Sequence, residues 1–503
     1  MTRLQPPELD RAAPATLGDQ IAAHYRAAIA AGQLRPGDRL PPIREVAEAS
    51  GVTRAVVQDA YKKLSDAGLV AAEVGRGTTV LQSAQAAAPA GPLSAFAEAA
   101  LLQTQAMAPA PPLPPGQKLV ANFAELSPDA AMFPVDAMRA AMDAVLQRRG
   151  GELLGYGHAA AGMPELRELL CERARATDPA IAADDVLVTA GAQQGLDLVL
   201  RTFCTPGDAV LVTTPSYHQM YGLLKAHGLQ PVPVAFGDDG LDLDQLERAV
   251  RRPGVRLCYL MPSFHNPTGR TLDEAQRRAL LDVVGRTEVP ILEDEYQDAL
   301  RFRGTAPPSL RALDPRGLTV TVHTFSKDLF PGLRVGWVLG GARALQPMAA
   351  VKRFMDLETS PLLQVALCEF VRSGAYEQHL TGLTRELAAR HATLQRELRP
   401  ALPDGAVLTD PDGGFVAWLE LPAAGPGASM HGAGDRLAEL AAARGVRVVP
   451  GRAFDSQQRP SRGVRLSLSR ADVRQTAAGA RVLGELAQDL VRGAAPAPAR
   501  HFL

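Results

Sequence analysis

The chain has 503 residues, more than one ordinary domain holds and enough for about three. Its 53 basic and 54 acidic side chains leave a net charge of −1. That excludes a polycation coating nucleic acid or membrane by charge alone, but not a small DNA-binding module in a neutral chain. With 46% hydrophobic and 21% charged residues the composition is that of a soluble globular protein. Cys171, Cys204, Cys258 and Cys368 lack metal-ligand spacing and are too few for a disulfide framework. Reduced packing cysteines, no metal site and a cytoplasmic location are expected. Early acidic residues (Glu8, Asp10) argue against a secretory signal, and the weakly charged stretch 81–117 is too rich in Pro, Gln and Ser for a membrane span.

In chain order, Leu17, Ile21, Tyr25 and Ile29 mark one face of a first helix. A second short helix starts after Pro41-Pro42 with Val46 and Ala47 inward. Gly51 turns the chain, and Thr53 is the expected N-cap of a third helix with Val57, Tyr61 and Leu64 inside. Gly68 is placed at its C-terminal end. Two short strands follow, Leu69–Val74 and Thr78–Leu81, hinged by Gly75-Arg76-Gly77. Three helices and a β-hairpin wing make a winged helix-turn-helix over 16–82. Thr53, Arg54 and Gln58 project from the start of the third helix, where donors can reach base edges and phosphates. Arg44 and Arg76 flank them. The bland alternative is a three-helix interaction domain with ordinary surface arginines.

The segment 83–118 reads as a Pro/Ala-rich linker, with Leu93–Met107 able to form a short helix and a proline-rich end that favours a stiff spacer. From Leu119 the pattern alternates between helices and short apolar runs. Strands are expected at Asp185–Thr189, Ala209–Thr213, Val255–Met261, Val289–Leu292, Thr319–Val322 and Val335–Leu339. That is an α/β domain with a mostly parallel sheet over 119–492, its large subdomain at about 150–350 and a smaller C-terminal α/β subdomain mainly at 351–492. Residues 493–503 read as a tail.

Just past these strand ends stand Gly191-Ala192, Tyr217, Asn266, Asp294, Tyr296, Thr324, Lys327 and Arg334. Ligands bind at that edge of open α/β sheets. Singly each residue is weak. Together they suit a phosphorylated pyridine aldehyde: a lysine for the Schiff base, a carboxylate for the ring nitrogen, an aromatic to stack, a phenol and an amide for the ring oxygen, and helix N–H groups with an arginine for the phosphate.

The run LPPIREVAEASGVTRAVVQDAYKKLSDAGLVAAEVGRGTTV resembles the DNA-binding domain of GntR-type bacterial regulators. The resemblance implies DNA contacts at Arg44, Thr53, Arg54 and the wing glycine Gly75. The sequence departs from the pattern at Pro42, Ile43, Ala55 and Val56, which implies fewer direct polar contacts. Ala55 can still meet a thymine methyl. The second unit resembles fold-type I aminotransferases through Tyr156-Gly, Thr189-Ala-Gly-Ala, Pro215-Ser-Tyr217, His265-Asn266-Pro-Thr-Gly, Glu293-Asp294-Glu-Tyr296, TFSKDLFPGLRVGW, Asp412-Gly-Gly-Phe415 and Gly463-Val-Arg465-Leu.

That likeness implies bound pyridoxal 5'-phosphate, with Lys327 as Schiff-base lysine, Asp294 at the ring nitrogen, and Tyr296 and Asn266 at the ring oxygen. It implies Tyr217 stacked on the ring and Gly191, Ala192, Thr324 and Arg334 at the phosphate. Tyr156 would reach the phosphate of a neighbouring subunit, and Arg465 would clamp a substrate or effector carboxylate. Ala190 and Ala192 replace hydroxyl residues common there, so backbone N–H groups are expected to do more.

The two likenesses joined by a spacer resemble the MocR-like regulators. They imply a homodimer on double-stranded DNA with two half-sites, sensing an amine or amino acid through an aldimine at Lys327. Two alternatives stay open: a working aminotransferase with a DNA-binding appendage, and a regulator that senses pyridoxal phosphate itself.

Overall fold

The computed structural model describes residues 9–10, 16–30, 34, 37–66, 69–73, 77–80, 93–106, 110–157, 160–237, 239–422 and 432–493. The chain divides into two compact units, Met1–Ser94 and Ala95–Leu503.

In the first unit α1 (Leu17–Ala30), α2 (Ile43–Ala49) and α3 (Arg54–Asp66) precede an antiparallel pair, β1 (Val70–Glu73) and β2 (Gly77–Val80). The helical spacing of apolar residues builds one core. Ile21 and Tyr25 of α1, Val46 and Ala47 of α2, and Val57, Ala60, Tyr61 and Leu64 of α3 pack with Val70 and Val80. The Tyr61 hydroxyl donates to the Pro41 carbonyl at 2.7 Å, pinning α3 to the start of α2. Leu40 N–H donates to Thr78 O, and Val80 N–H to Asp38 O, so the α1–α2 connection lies along the wing. Gly68, Gly75 and Arg76 lie outside the described residues.

The expected spacer is not a free tether along its described part. Helix α4 (Ala95–Ala106) packs on the helix His218–Ala226, with Phe96 edge-on to His227 at 5.4 Å and beneath the Arg201 guanidinium. Ala110 is buried with Ala124, Trp418, Val449 and Phe454. These few apolar side chains find surface to cover, which turns the second half of the segment into part of the larger unit.

The strands of that unit are β3 (Ala121–Asn122), β4 (Val186–Thr189), β5 (Ala209–Thr214), β6 (Gln230–Gly237), β7 (Gly240–Leu241), β8 (Val255–Leu260), β9 (Ile291–Asp294), β10 (Thr319–Thr324) and β11 (Gly336–Leu339). They continue with β12 (Val407–Leu408), β13 (Val416–Glu420), β14 (Val446–Arg447), β15 (Val449–Pro450) and β16 (Gly463–Ser467). The large sheet runs in the order β4-β11-β10-β9-β8-β5-β6-β7. Its body from β10 to β6 is parallel, and β11 is antiparallel to both its neighbours. In β5, Val210 and Val212 join one core while Leu211 joins another, so both faces are buried, as a parallel sheet requires.

All six expected strands are present with shifted ends. The sequence reading missed β6, whose Pro231 and Pro233 argue against a strand. They are tolerated because β6 is flanked on its far side only by the short β7, paired at Phe236 and Gly237.

The small subdomain has an antiparallel sheet, β12-β13-β16-β15. Its core includes Leu394, Leu398, Leu437, Leu466 and Leu483, and it recruits Ala121 and Phe123 from the start of the unit, where β3 pairs in parallel with β14. The helix Pro361–Arg372 packs in the core around Val186, Val188 and Leu339. The long helix Ala375–Leu398 runs from one subdomain into the other, with Leu383 and Leu387 beside Leu300 and Leu394 and Leu398 in the small core.

Candidate functional site

At the carboxyl ends of the parallel strands lies a cavity of about 360 Å³. It is lined by eight of the residues singled out from sequence: Ala192, Tyr217, Asn266, Asp294, Tyr296, Thr324, Lys327 and Arg334. Topology explains the gathering. Asp294 ends β9, Thr324 ends β10 in the neighbouring position, and Lys327 follows three residues later. Tyr217 precedes the helix His218–Ala226, and Asn266 sits in the turn after β8.

Asp294 is buried, and burial pushes its carboxyl up to about 6, against the pull of a 2.7 Å hydrogen bond from the Tyr259 hydroxyl to Oδ2. Its Oδ1 is buried and has no hydrogen-bond partner. An orphaned carboxylate oxygen in a cavity calls for a donor, and a protonated pyridine nitrogen is one. Lys327 donates to the Leu126 carbonyl at 2.8 Å. Burial first, then the Arg465 charge, lowers its amine to about 8, so roughly a tenth of it is neutral at pH 7, far more than for an ordinary lysine. The Tyr296 hydroxyl donates to the Phe264 carbonyl at 3.1 Å, and burial raises its pKa well above the phenol range.

The anion end is built on backbone. Gly191 precedes the helix Ala192–Phe203 with φ +84, and a Cβ there would lie 2.4 Å from Nη2 of Arg334. Arg334 itself stands in the left-handed region at φ 53. The first-turn N–H groups of a helix have no internal partner, and Ala192 and Gln193 both line the cavity. Not every backbone donor is available, because Ala190 N–H donates to the Gln194 side chain at 2.8 Å. Ser326 supplies a hydroxyl instead. It lines the cavity, accepts from Thr324 at 2.9 Å and lies 3.4 Å from Nη1 of Arg334. These residues fit pyridoxal phosphate at both ends.

Arg465 does not line this cavity but stands against it. It is 2% exposed and donates to the Asn266 Oδ1 at 3.3 Å and the Ala124 carbonyl at 2.6 Å. Its Nε has no partner. Burial lowers its pKa to about 10. Tyr156 is 89% exposed and does not line the cavity of its own chain. Within one chain it is not brought to the site, because the turn that carries it faces outward; the expected contact is with the phosphate of a neighbouring subunit.

Sequence reasoning missed Tyr259, Ser326, Gln193 and Gln219. Tyr259 carried a signal, being the one phenol in the aliphatic run of β8. The Tyr217 hydroxyl donates to Gln219 at 2.5 Å. Among the described residues no group of His, Cys, Asp and Glu could hold a metal, and no helix is long and apolar enough to cross a membrane.

In the first unit Arg44, Thr53, Arg54, Ala55 and Gln58 are all exposed, on α2 and the start of α3, opposite the buried face of Val57, Ala60, Tyr61 and Leu64.

Comparison with known proteins agrees with both halves. The family "Aminotransferase class I and II" matches residues 125–480, and "Bacterial regulatory proteins, gntR family" matches residues 17–80. The chain is 30% identical to the probable rhizopine catabolism regulatory protein MocR of Rhizobium meliloti, over 81% of this chain and 82% of that protein. It is 29% identical to the uncharacterized HTH-type transcriptional regulator YdcR of Escherichia coli over 93% and 98% of the two chains. Among solved structures, LysN, the α-aminoadipate aminotransferase of Thermus thermophilus in complex with N-(5'-phosphopyridoxyl)-L-leucine, superposes with a TM-score of 0.66 at 31% identity. That likeness covers 74% of this chain and 93% of LysN. The chain belongs to the class I and II aminotransferase family and, with a GntR-type DNA-binding region ahead of that domain, is a MocR-like, pyridoxal-phosphate-dependent transcriptional regulator.

Proposed function

We propose that this regulator works as a homodimer in the cytoplasm, holds two DNA half-sites through its winged helices, and responds to an amine or amino acid at the pyridoxal phosphate pocket. The observation that carries the sensing role is Arg465, a buried guanidinium with an unpartnered Nε beside Asn266. A planar cation in that place suits a carboxylate, and an α-amino acid offers one next to its amine.

Pyridoxal phosphate, when bound, supplies an aldehyde that takes up primary amines and a ring that withdraws electrons. The chain supplies the rest. Asp294 holds a proton at the ring nitrogen through Oδ1, and Tyr259 fixes its other oxygen. Lys327, lowered to about 8, has a neutral amine at hand. Tyr296 and Asn266 serve the ring oxygen, and Tyr217 covers the ring. Thr324, Ser326, Arg334 and the helix start at Gly191-Ala192 take the phosphate. Arg465 orients the effector's carboxylate, and Tyr156 of the second subunit completes the phosphate site.

A specific observation also favours retained transamination: Lys327, Asp294, Tyr296 and Arg465 are all assembled in one unit. The test measures operator affinity of cofactor-loaded full-length protein against a panel of amines and amino acids, and follows absorbance with and without keto acid. A regulator shows one compound that shifts the spectrum, stays bound and changes DNA affinity. Many rapid cycles with keto acid identify a transaminase. A change in DNA affinity on adding the cofactor alone identifies a cofactor sensor. A Lys327→Ala protein that responds in full to the effector overturns the sensing scheme.

A further inference from the structure

The Asp412-Gly-Gly-Phe415 motif lines no part of the cofactor cavity. It stands where the chain enters β13 of the small subdomain and presses on the segment that carries Tyr296. A Cβ on Gly413 would lie 2.3 Å from the Phe264 ring and 2.6 Å from the Leu300 carbonyl. One on Gly414 (φ +71) would lie 2.8 Å from Nε2 of Gln297 and 3.0 Å from Cβ of Phe264. Gly414 N–H donates to Leu300 O at 3.0 Å, and its carbonyl accepts from His391 Nε2 at 3.0 Å. Arg303 holds Asp412 at 2.5 Å.

Gln297 is the hinge pin of this junction. It is 2% exposed, and both ends of its amide are used. Oε1 accepts the Phe415 N–H at 3.1 Å. Nε2 donates to the Phe264 carbonyl at 2.9 Å and lies against the Tyr296 hydroxyl, which donates to the same carbonyl. Phe415 leads directly into β13, where Trp418 is in register with Arg465 of β16. One side chain thus joins the phenol of the site to the strand pair that carries the carboxylate-reading arginine.

We infer that Gln297 is a positioning residue that ties the Tyr296 phenol to the small subdomain, so that the placement of that subdomain sets how strongly the phenol donates to the cofactor's ring oxygen. The phenol has one proton, now given to the Phe264 carbonyl; because Gln297 Nε2 also serves that carbonyl, the proton is free to turn to the ring oxygen once cofactor is bound. An amide N–H against the phenol oxygen makes the phenol a better donor there, so that pulling Phe415 away shifts the amide and weakens the effect. A purely structural Gln297 would change stability and leave the electronic state of the site untouched. The inference rests on Tyr296 serving the ring oxygen, and the experiment separates the two.

The experiment is a pH titration of cofactor absorbance in loaded, full-length wild type, Tyr296→Phe, Gln297→Leu, Gly414→Ala and Gly405→Ala proteins. Gly405 has φ +77, and a Cβ there meets only Pro422 at 3.3 Å, so it controls for backbone strain in the small subdomain. A donor on the ring oxygen weakens that oxygen's hold on a neighbouring proton, so losing the donor raises the midpoint. Tyr296→Phe raises it; Gln297→Leu and Gly414→Ala raise it by less; Gly405→Ala leaves it in place. If Tyr296→Phe shifts the midpoint and Gln297→Leu does not, the inference is overturned. If Tyr296→Phe itself causes no shift, the role given to Tyr296 falls first. Should Gly414→Ala fail to fold, Gln297→Leu decides alone.

Discussion

Asp294 is held ready for a partner at the expense of stability. Its carboxyl is raised to about 6 by burial, above an unfolded value near ~3.9. A raised carboxylate binds more protons folded than unfolded between those two values, so the cofactor-free protein loses stability as pH rises from about 4 through 6. The shift corresponds to about 3 kcal/mol above that window, and the weaker bond from Tyr259 to an amide offsets part of it. Asp294→Asn is therefore expected to be more stable than wild type without cofactor by about 1–3 kcal/mol at pH 8, with a gap about 1 kcal/mol smaller at pH 5. Urea unfolding at both pH values checks it; a variant less stable at pH 8 refutes the argument. Saturating cofactor reverses the order, because the ring nitrogen then rewards the carboxylate and not the amide. Lys327 acts in a separate window: its amine is lowered to about 8, so its contribution grows as pH rises from there toward its ordinary value.

At the scale of elements, legibility followed how local the signal was. The six expected strands and the residues at their ends could be read because strand, turn and functional side chain lie within a few residues, as in Thr319–Lys327. Strand β6 was hidden by prolines that are excused only because the short β7 pairs with it further along, at Phe236 and Gly237. The docking of α4 was hidden because its partner helix lies more than a hundred residues away in sequence. Gln297 was hidden because an amide beside a tyrosine has no meaning until Phe415 arrives across the subdomain junction. Gly191, by contrast, was legible as a glycine turn, though not its reason. With φ 84 and ψ 168 it occupies a region that side chains avoid, and Arg334 fills the place of its Cβ. Gly191→Ala is expected to cost about 1–3 kcal/mol of stability and, by displacing the guanidinium, at least about tenfold in cofactor affinity. Cofactor titration and thermal melting measure both; unchanged affinity would show that Arg334 does not hold the phosphate.

At the scale of the whole molecule, the core of the first unit, among the described residues, is built from side chains between Leu9 and Val80, and each unit is compact by itself. On the proposed function, DNA affinity and cofactor binding are coupled by an effector that favours one arrangement of the modules over another, and the coupling acts in both directions. Arg54, exposed at the start of α3, separates the two properties cleanly. If it neutralises a phosphate, Arg54→Ala weakens binding to operator and random DNA alike and lowers the salt slope of log affinity by about one. If it reads a base, the operator loses about 1–3 kcal/mol, random DNA loses little, and discrimination at one position relaxes. In either case the bound cofactor's absorbance and its response to the effector in the absence of DNA stay at wild-type values. Binding isotherms at several salt concentrations, with operator and scrambled duplexes, distinguish the two roles. A cofactor spectrum altered by Arg54→Ala without DNA would mean that the two units are joined energetically even when no operator holds them.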